Sequence, residues 1–534
     1  MTQTIAEVMA QTLRGEGVDV VFGLPGGENV PLVAALDNAG IRFIMVRHES
    51  RAVWAADAYA RIGRRAGVCL STLGPGAANL AAGLAHAFLD RAPVLAITAQ
   101  LPSSLIEHHS HQRLDLQAVF QPVTKASTII NENCDTAEIV SRALHLTRQG
   151  RMGPVHLQVS SPVSMHAAET SGRSTGDMHE SDNMLDSLVT GMAALLTGAR
   201  RPAIVVGLAI EPGASYAQMV ELAEILQAPV IVTPKAKGAI PERHRLYGGV
   251  LGLERQEASA DTLRHADMIL GIGFDPVELM VPWSFKAPYI HLSPAPNADP
   301  YLPAVLTLEA DISEVLQRLV PAVNAVRTAV YPAWWTPQHH VPAPKQRRLR
   351  PAISNLLLSQ VIHAARELLP GDGIVTVDVG AHKLMIGKKW EAQQPNRFLL
   401  SNGLSTMGYA LPAAIGAKLA RPQAPVVCFT GDGGLGMVAS ELETAVRLNL
   451  PIVVVVLADE AMSLIRLKQL ASGYQPVGTL MGPTDWVKVA RGYGAHGVAV
   501  DNEKAFCEAF SHALAARTPT LIEARIDPAE YQTY

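Results

Sequence analysis

The chain has 534 residues, is 48% hydrophobic and 17% charged, and carries a formal net charge of −4. That length calls for several domains with large buried cores, and the near-neutral balance argues against the basic face that nucleic-acid binding needs. Four scattered cysteines (Cys69, Cys134, Cys428, Cys507), none in C-x-x-C spacing, argue against a thiolate zinc site and a disulfide framework.

Residues 1–17 predict an amphipathic helix and not a signal peptide. Short β-branched runs then alternate with Ala-rich helical stretches. The runs are 18–25 (VDVVFGLP), 41–47, 67–76 and 93–100, then 202–209, 229–234 and 267–274, then 374–380, 425–434 and 451–459. Continuous apolar strands separated by helices predict parallel sheets covered on both faces. The longest apolar run, 451–458, is strand length and far below a membrane span. The expectation is a reduced, cytoplasmic α/β protein with no membrane or nucleic-acid partner.

Residues 168–186 are polar and Ser/Gly-rich, and residues 331–352 are Pro-rich and basic; both compositions read as linkers. They divide the chain into doubly wound units at 1–167, 187–330 and 353–534, the middle one Rossmann-like. A shift of 332 residues lays 74–98 over 406–430 with nine matches, among them Gly76 on Gly408 and Pro93 on Pro425. This is either a duplicated loop–helix–strand unit in the first and third segments or the chance likeness of two Ala-rich helices.

The strongest motif is Gly431-Asp432-Gly433-Gly434, between the strand PVVCFT and a helix. Asp432 ends that strand, and Asp459 ends the next one 27 residues later. Carboxyl ends of neighbouring parallel strands lie side by side, where ligands bind. Two carboxylates there make a hard-oxygen site for Mg²⁺, and the glycines let backbone N–H groups approach a diphosphate. Taken alone, GDGG is also compatible with an ordinary βα turn.

G-D-G followed by Asn or Asp at this distance is the thiamine diphosphate motif, and further segments match in order. They are 21–27 (VFGLPGG), 47–61, 72–100, 379–382 (VGAH) and 401–420. Over nearly its whole length the chain resembles the acetolactate synthase/pyruvate oxidase/2-oxo acid decarboxylase superfamily. The resemblance implies that the first and third domains are similar, binding the pyrimidine and the diphosphate of the cofactor. It implies a homodimer or homotetramer with active sites between subunits.

The resemblance also assigns residues. Glu49 matches the glutamate on the pyrimidine ring nitrogen, where a shared proton favours the imino tautomer that activates the thiazolium carbon. Met407 matches the apolar prop under the bent cofactor, and Ser405 the carbonyl that receives its amino group. Asp432, Asp459 and the Ala461 carbonyl match the Mg²⁺ ligands. Gly431, Gly433, Gly434, Met462, Ser463 and Leu464 fall in the cofactor-binding stretches, as do Pro25 and Gly26. Gly380 and His382 match a loop touching the diphosphate, in which Ala381 stands where the family has Gln.

The loop 106–125 matches the mobile active-site loop. In it, Gln112 is a candidate donor to a substrate carbonyl and His111 a candidate proton carrier. His108 and His109 resemble the His pair of pyruvate decarboxylases but equally suit an exposed His-rich loop. Val277 replaces the arginine of biosynthetic acetohydroxyacid synthases, so FAD is possible but unsupported. Arg466 and Lys468 are candidate carboxylate anchors or a solvated helix face. The expected reaction is decarboxylation of a pyruvate-like 2-oxo acid, then addition to a carbonyl acceptor, as in acetolactate synthases. On the same cofactor, a non-ligating decarboxylase, a 2-hydroxyacyl lyase and a carboxyethylarginine synthase-like transferase are the alternatives; a subunit without turnover is a further one.

Overall fold

The β-branched runs form strands that pair in parallel throughout, in three separate six-stranded sheets. The computed structural model describes residues 3–102, 105, 108–168, 182–210, 214–254, 257–297, 301–326, 334–336 and 356–533. The first sheet holds β1 (Val20–Gly23), β2 (Arg42–Met45), β3 (Gly67–Ser71), β4 (Val94–Gln100), β5 (Ser127–Ile130) and β6 (Val155–Ser160). The second holds β7 (Pro202–Val206), β8 (Val230–Val232), β9 (Tyr247–Val250), β10 (Met268–Ile272), β11 (Tyr289–Ser293) and β12 (Ala304–Glu309). The third holds β13 (Ile374–Val377), β14 (Phe398–Leu400), β15 (Val426–Gly431), β16 (Ile452–Ala458), β17 (His496–Val500) and β18 (Thr520–Arg525). Central strands such as β3, β4, β7, β10 and β13 are buried at every position, as expected of sheets with helices on both faces.

The strand orders are β2-β1-β3-β4-β6-β5, β12-β11-β10-β7-β8-β9 and β14-β13-β15-β16-β18-β17. The first and third are one order used twice, so the two outer domains share a topology. The middle order is the Rossmann one, with its reversal between β7 and β10.

The duplication does not follow the register of the sequence repeat. The helix Pro75–Leu89 joins β3 to β4, whereas Ala410–Ala420 joins β14 to β15. The topological counterpart of Ala410–Ala420 is therefore the helix Glu49–Gly63, which joins β2 to β3. The 332-residue shift is one unit out of step, and the shared Ala/Gly composition has a packing cause. Glu49–Gly63 lies against both of the other helices. A Cβ on Gly83 would strike Val53 and the Ser50 carbonyl, and one on Gly416 would overlap the Ala55 carbonyl. Helices this close accept only small residues at the crossing.

Most of both expected linkers lies outside the described residues, but two parts of them are structured. The helix Asp182–Gly198 begins inside the first. In the second, Trp334 donates its indole N–H to the Pro202 carbonyl (3.1 Å) and Trp335 donates to Thr262 Oγ1 (3.0 Å), pinning this stretch to the middle domain.

The helix crossing is open to test. Gly416→Val should destabilise the protein by about 1–3 kcal/mol through overpacking. Gly191→Ala, on an exposed helical position with open space around it, should lose nothing. Calorimetric midpoints of the two variants check this.

Candidate active site

In the third sheet the direction of winding reverses between β13 and β15, and a crevice opens there at the strands' carboxyl ends. The space within it, including the part open to solvent, is about 540 Å³. Gly380, His382, Met407, Gly431, Asp432, Gly433, Gly434, Asp459, Ala461, Met462, Ser463 and Leu464 all line it. Twelve residues singled out in the sequence thus converge on one cavity, although they span 85 positions from Gly380 to Leu464.

The glycines are a steric requirement. A Cβ on Gly434 would run into the Asp378 carboxylate, and one on Gly380 would sit 2.5 Å from the His382 ring. One on Gly433 would point among Met462, Met407 and Met481, 3.2–3.5 Å away. Asp378 is fully buried and braces the loop from beneath. It accepts the backbone N–H groups of Val379 and Gly408 (both 2.8 Å) and the Thr430 hydroxyl (2.9 Å).

The two carboxylates are built into the turn. Asp432 accepts the backbone N–H groups of Gly433 (2.7 Å), Glu460 (2.7 Å) and Asp459 (3.2 Å). Asp459 accepts the Ala461 N–H (3.1 Å) and the Ser463 hydroxyl (2.6 Å). Both side chains are buried. Among the described residues neither has an ion-pair partner. Burial and the adjacent Asp432 charge push the Asp459 carboxyl up to about 7, and burial raises Asp432 as well. The pair lacks a positive charge. Beside it, His382 is buried with its Nε2 unpaired, and burial lowers its pKa to about 4, so the ring is neutral.

Glu49 lies elsewhere. It opens the helix Glu49–Gly63 after β2, is 8% exposed, and accepts the Asn79 amide (3.0 Å). Gly76 approaches the same carboxylate: a Cβ there would lie 3.1 Å from Oε1. Around it are the loops at the carboxyl ends of β1 and β3. Gly26 packs on Thr72, whose hydroxyl donates to Glu28 (2.7 Å), and Pro25 is exposed beside it. Gly74, in the left-handed region at φ +57°, lies against Gln112. None of these residues lines the third-domain cavity. Glu49 and the cavity therefore lie at the carboxyl ends of different sheets.

Other expected residues fall outside the cavity. Ser405 is exposed at φ +54°, two residues before Met407. Arg466 is half-buried and Lys468 exposed on the helix Ser463–Ala471, and neither lines the cavity. His108, His109 and His111 are exposed. Sequence reasoning missed Tyr531, which is buried and lines the cavity from a short turn near the C-terminus. It sits in no motif; its place after the last strand of the sheet was the available signal.

The comparisons agree with this architecture. Residues 3–119, 189–319 and 378–524 match the N-terminal TPP-binding, central and C-terminal TPP-binding domains of thiamine pyrophosphate enzymes. These are enzymes that make or break carbon–carbon bonds with thiamine diphosphate, and the chain belongs to this family.

Within it, the chain is similar to acetolactate synthase large subunits. It is 30% identical to the isozyme 1 large subunit of Escherichia coli over 99% of this chain and 94% of the relative. It is 31% identical to the large subunit of Parasynechococcus marenigrum (98% and 88% covered) and 30% to that of Lactococcus lactis (98% and 93%). Among the described residues no helix is long and apolar enough to cross a membrane.

The cavity suits the cofactor's diphosphate end. Its glycines leave room for phosphate oxygens, the unpaired His382 Nε2 lacks a partner, and the uncompensated carboxylates suit a hard cation.

The raised Asp459 pKa contributes to the pH dependence of the ligand-free protein's stability. An unfolded Asp ionises near pH 4, whereas this one holds its proton until about 7. Stability contributed by the protonated form is therefore lost as pH rises from about 4 to 7 and stays lost above that. Asp459→Asn should raise the thermal midpoint of the ligand-free protein at pH 8 and leave it nearly unchanged at pH 4, as calorimetry at the two pH values will check.

Proposed function

We propose that this chain decarboxylates a pyruvate-like 2-oxo acid and joins the remaining fragment to a second carbonyl compound, using thiamine diphosphate and Mg²⁺ in a homo-oligomer. The observation that carries this is the split between two buried acidic half-sites. The Asp432/Asp459 pair lies in a glycine cradle at the carboxyl end of the third sheet, and Glu49 lies at the carboxyl end of the first, outside that cavity.

Asp432, Asp459 and the Ala461 carbonyl would hold Mg²⁺, which offsets both the carboxylate pair and the diphosphate. Gly380, His382, Gly431, Gly433, Gly434, Met462, Ser463 and Leu464 would line the diphosphate's bed. Met407 would prop the cofactor's bend, and the Ser405 carbonyl would receive its amino group. Glu49, supplied by a second copy of the chain with Pro25 and Gly26 nearby, would hold a proton at the pyrimidine nitrogen. When bound, the cofactor supplies an electron sink for the carbon next to a carbonyl. Gln112 would orient the substrate carbonyl by a hydrogen bond and His111 would carry protons at the site's edge. Carboligation is favoured over the other fates by the acetolactate synthase relatives.

Two measurements test this reading. With pyruvate, thiamine diphosphate and Mg²⁺, mass spectrometry should find acetolactate; acetaldehyde alone would mean that the fragment is protonated instead, and no turnover across a panel of 2-oxo acids would reject the substrate class. Glu49→Gln should cut turnover by about 10²–10⁴-fold, the usual worth of a positioned acid–base group. Its cofactor binding by calorimetry should survive, and unchanged turnover would reject the role of Glu49.

A further inference from the structure

The loop from Ser401 to Gly408 carries Ser405 and Met407, yet much of what holds it belongs to other domains. Asp90, in the first domain and wholly buried, accepts the backbone N–H groups of three consecutive loop residues: Asn402 (2.9 Å), Gly403 (3.1 Å) and Leu404 (3.2 Å). It also accepts the Ser401 hydroxyl (3.3 Å), and Ser401 Oγ in turn accepts the Thr406 N–H (3.0 Å). A Cβ on Gly403 would overlap the Leu89 carbonyl, so the loop is seated directly on the chain leading into Asp90.

Groups from two domains favour the ionised carboxylate. Lys235 of the middle domain pairs with it, and His86 lies 3.1 Å away, bridged on its other nitrogen to Asp57 (3.1 Å). Burial opposes ionisation, but Lys235 and His86 outweigh it and hold Asp90 well below the usual carboxylate range.

We infer that Asp90 is a positioning residue for the cofactor loop: its carboxylate gathers three loop N–H groups and so fixes where Ser405 and Met407 stand. Three successive N–H groups converging on one anion fix the backbone on both sides of it. Ser405, one residue beyond, is in the left-handed region at φ +54°, a conformation a non-glycine residue holds only when its surroundings impose it. Lys235 extends the same control to the middle domain. This rests on the proposed cofactor site, since Asp90 acts on a group it does not touch.

The test titrates thiamine diphosphate and Mg²⁺ into the full-length protein and its variants, following tryptophan fluorescence and the near-ultraviolet circular dichroism of the bound cofactor. Asp90→Asn should weaken cofactor binding about 10–100-fold, as loss of supporting contacts does elsewhere, and diminish the dichroic signal even at saturation. Asp90→Asn leaves Lys235 buried without its partner, so the double variant Asp90→Asn/Lys235→Met separates charge burial from positioning. It should recover thermal stability but neither affinity nor signal. Ser401→Ala buries no unpaired charge and should show the same losses in milder form.

Parental affinity and dichroism in the double variant would overturn the inference, reducing Asp90 to a counter-ion. So would parental behaviour of Ser401→Ala. Failure of the unsubstituted protein to bind the cofactor would overturn the proposed function and this inference together, whereas normal binding by parent and variants alike overturns the inference alone.

Discussion

Two carboxylates, Asp432 and Asp459, are held together where water barely reaches, and among the described residues no side-chain cation neutralises them. Such a pair is tolerable in three ways: one group keeps its proton, backbone dipoles point at it, or a cation arrives from outside. The chain uses the first two when alone. Asp459 keeps its proton to about pH 7, and the N–H groups of Gly433, Asp459, Glu460 and Ala461 face the oxygens. The third is what a divalent cation would provide, and metal binding would then expel the Asp459 proton. The glycines around the pair, the crevice at the strand reversal and the neutral His382 would leave room for an anionic ligand beside such a cation.

The three domains are joined by a buried polar cluster that holds the loop from Ser401 to Gly408. Asp57, His86 and Asp90 come from the first domain, Lys235 from the second, and Ser401, Asn402 and Tyr409 from the third. Arg61 and His86 hold Asp57 near 2 against the cost of burial. Buried ion pairs contribute little net stability but cost much when half of one is removed. Such a cluster therefore specifies geometry more than it adds stability, and the geometry it specifies includes the loop bearing Ser405 and Met407. The small-residue crossing of Glu49–Gly63 with Ala410–Ala420 serves the same end, bringing the outer domains of one chain close enough for side chains of one to reach the backbone of the other.

The sequence makes part of this legible, and the reasons are local. Apolar runs such as 451–458 announce strands because a parallel strand is buried on both faces. The third-domain cavity is legible because Asp432 and Asp459 end adjacent strands, so one motif and one spacing place both. Glu49 is legible only through resemblance; nothing in a Glu beside His48 announces that it will be buried.

Apart from Lys235, the Asp90 cluster lies in segments that match the family, but nothing in them announces that its members meet. Its members lie up to 352 positions apart, as Asp57 and Tyr409 do, and each is an ordinary residue until the fold brings them together. The topological duplication of the outer domains was visible in kind but not in register, because packing selects Ala and Gly in every tightly crossed helix.

In the proposed assembly, the Glu49 half-site of one copy completes the Asp432/Asp459 half-site of another. Subunit exchange between two inactive variants decides this: Glu49→Gln and Asp432→Ala are purified separately, unfolded, mixed in equal amounts and refolded together. If sites form between copies, mixed dimers contain one intact site, and the mixture should regain about a quarter of the unsubstituted turnover. If both half-sites must come from the same chain, each polypeptide carries a defect in its own site, and the mixture would stay as inactive as its parents.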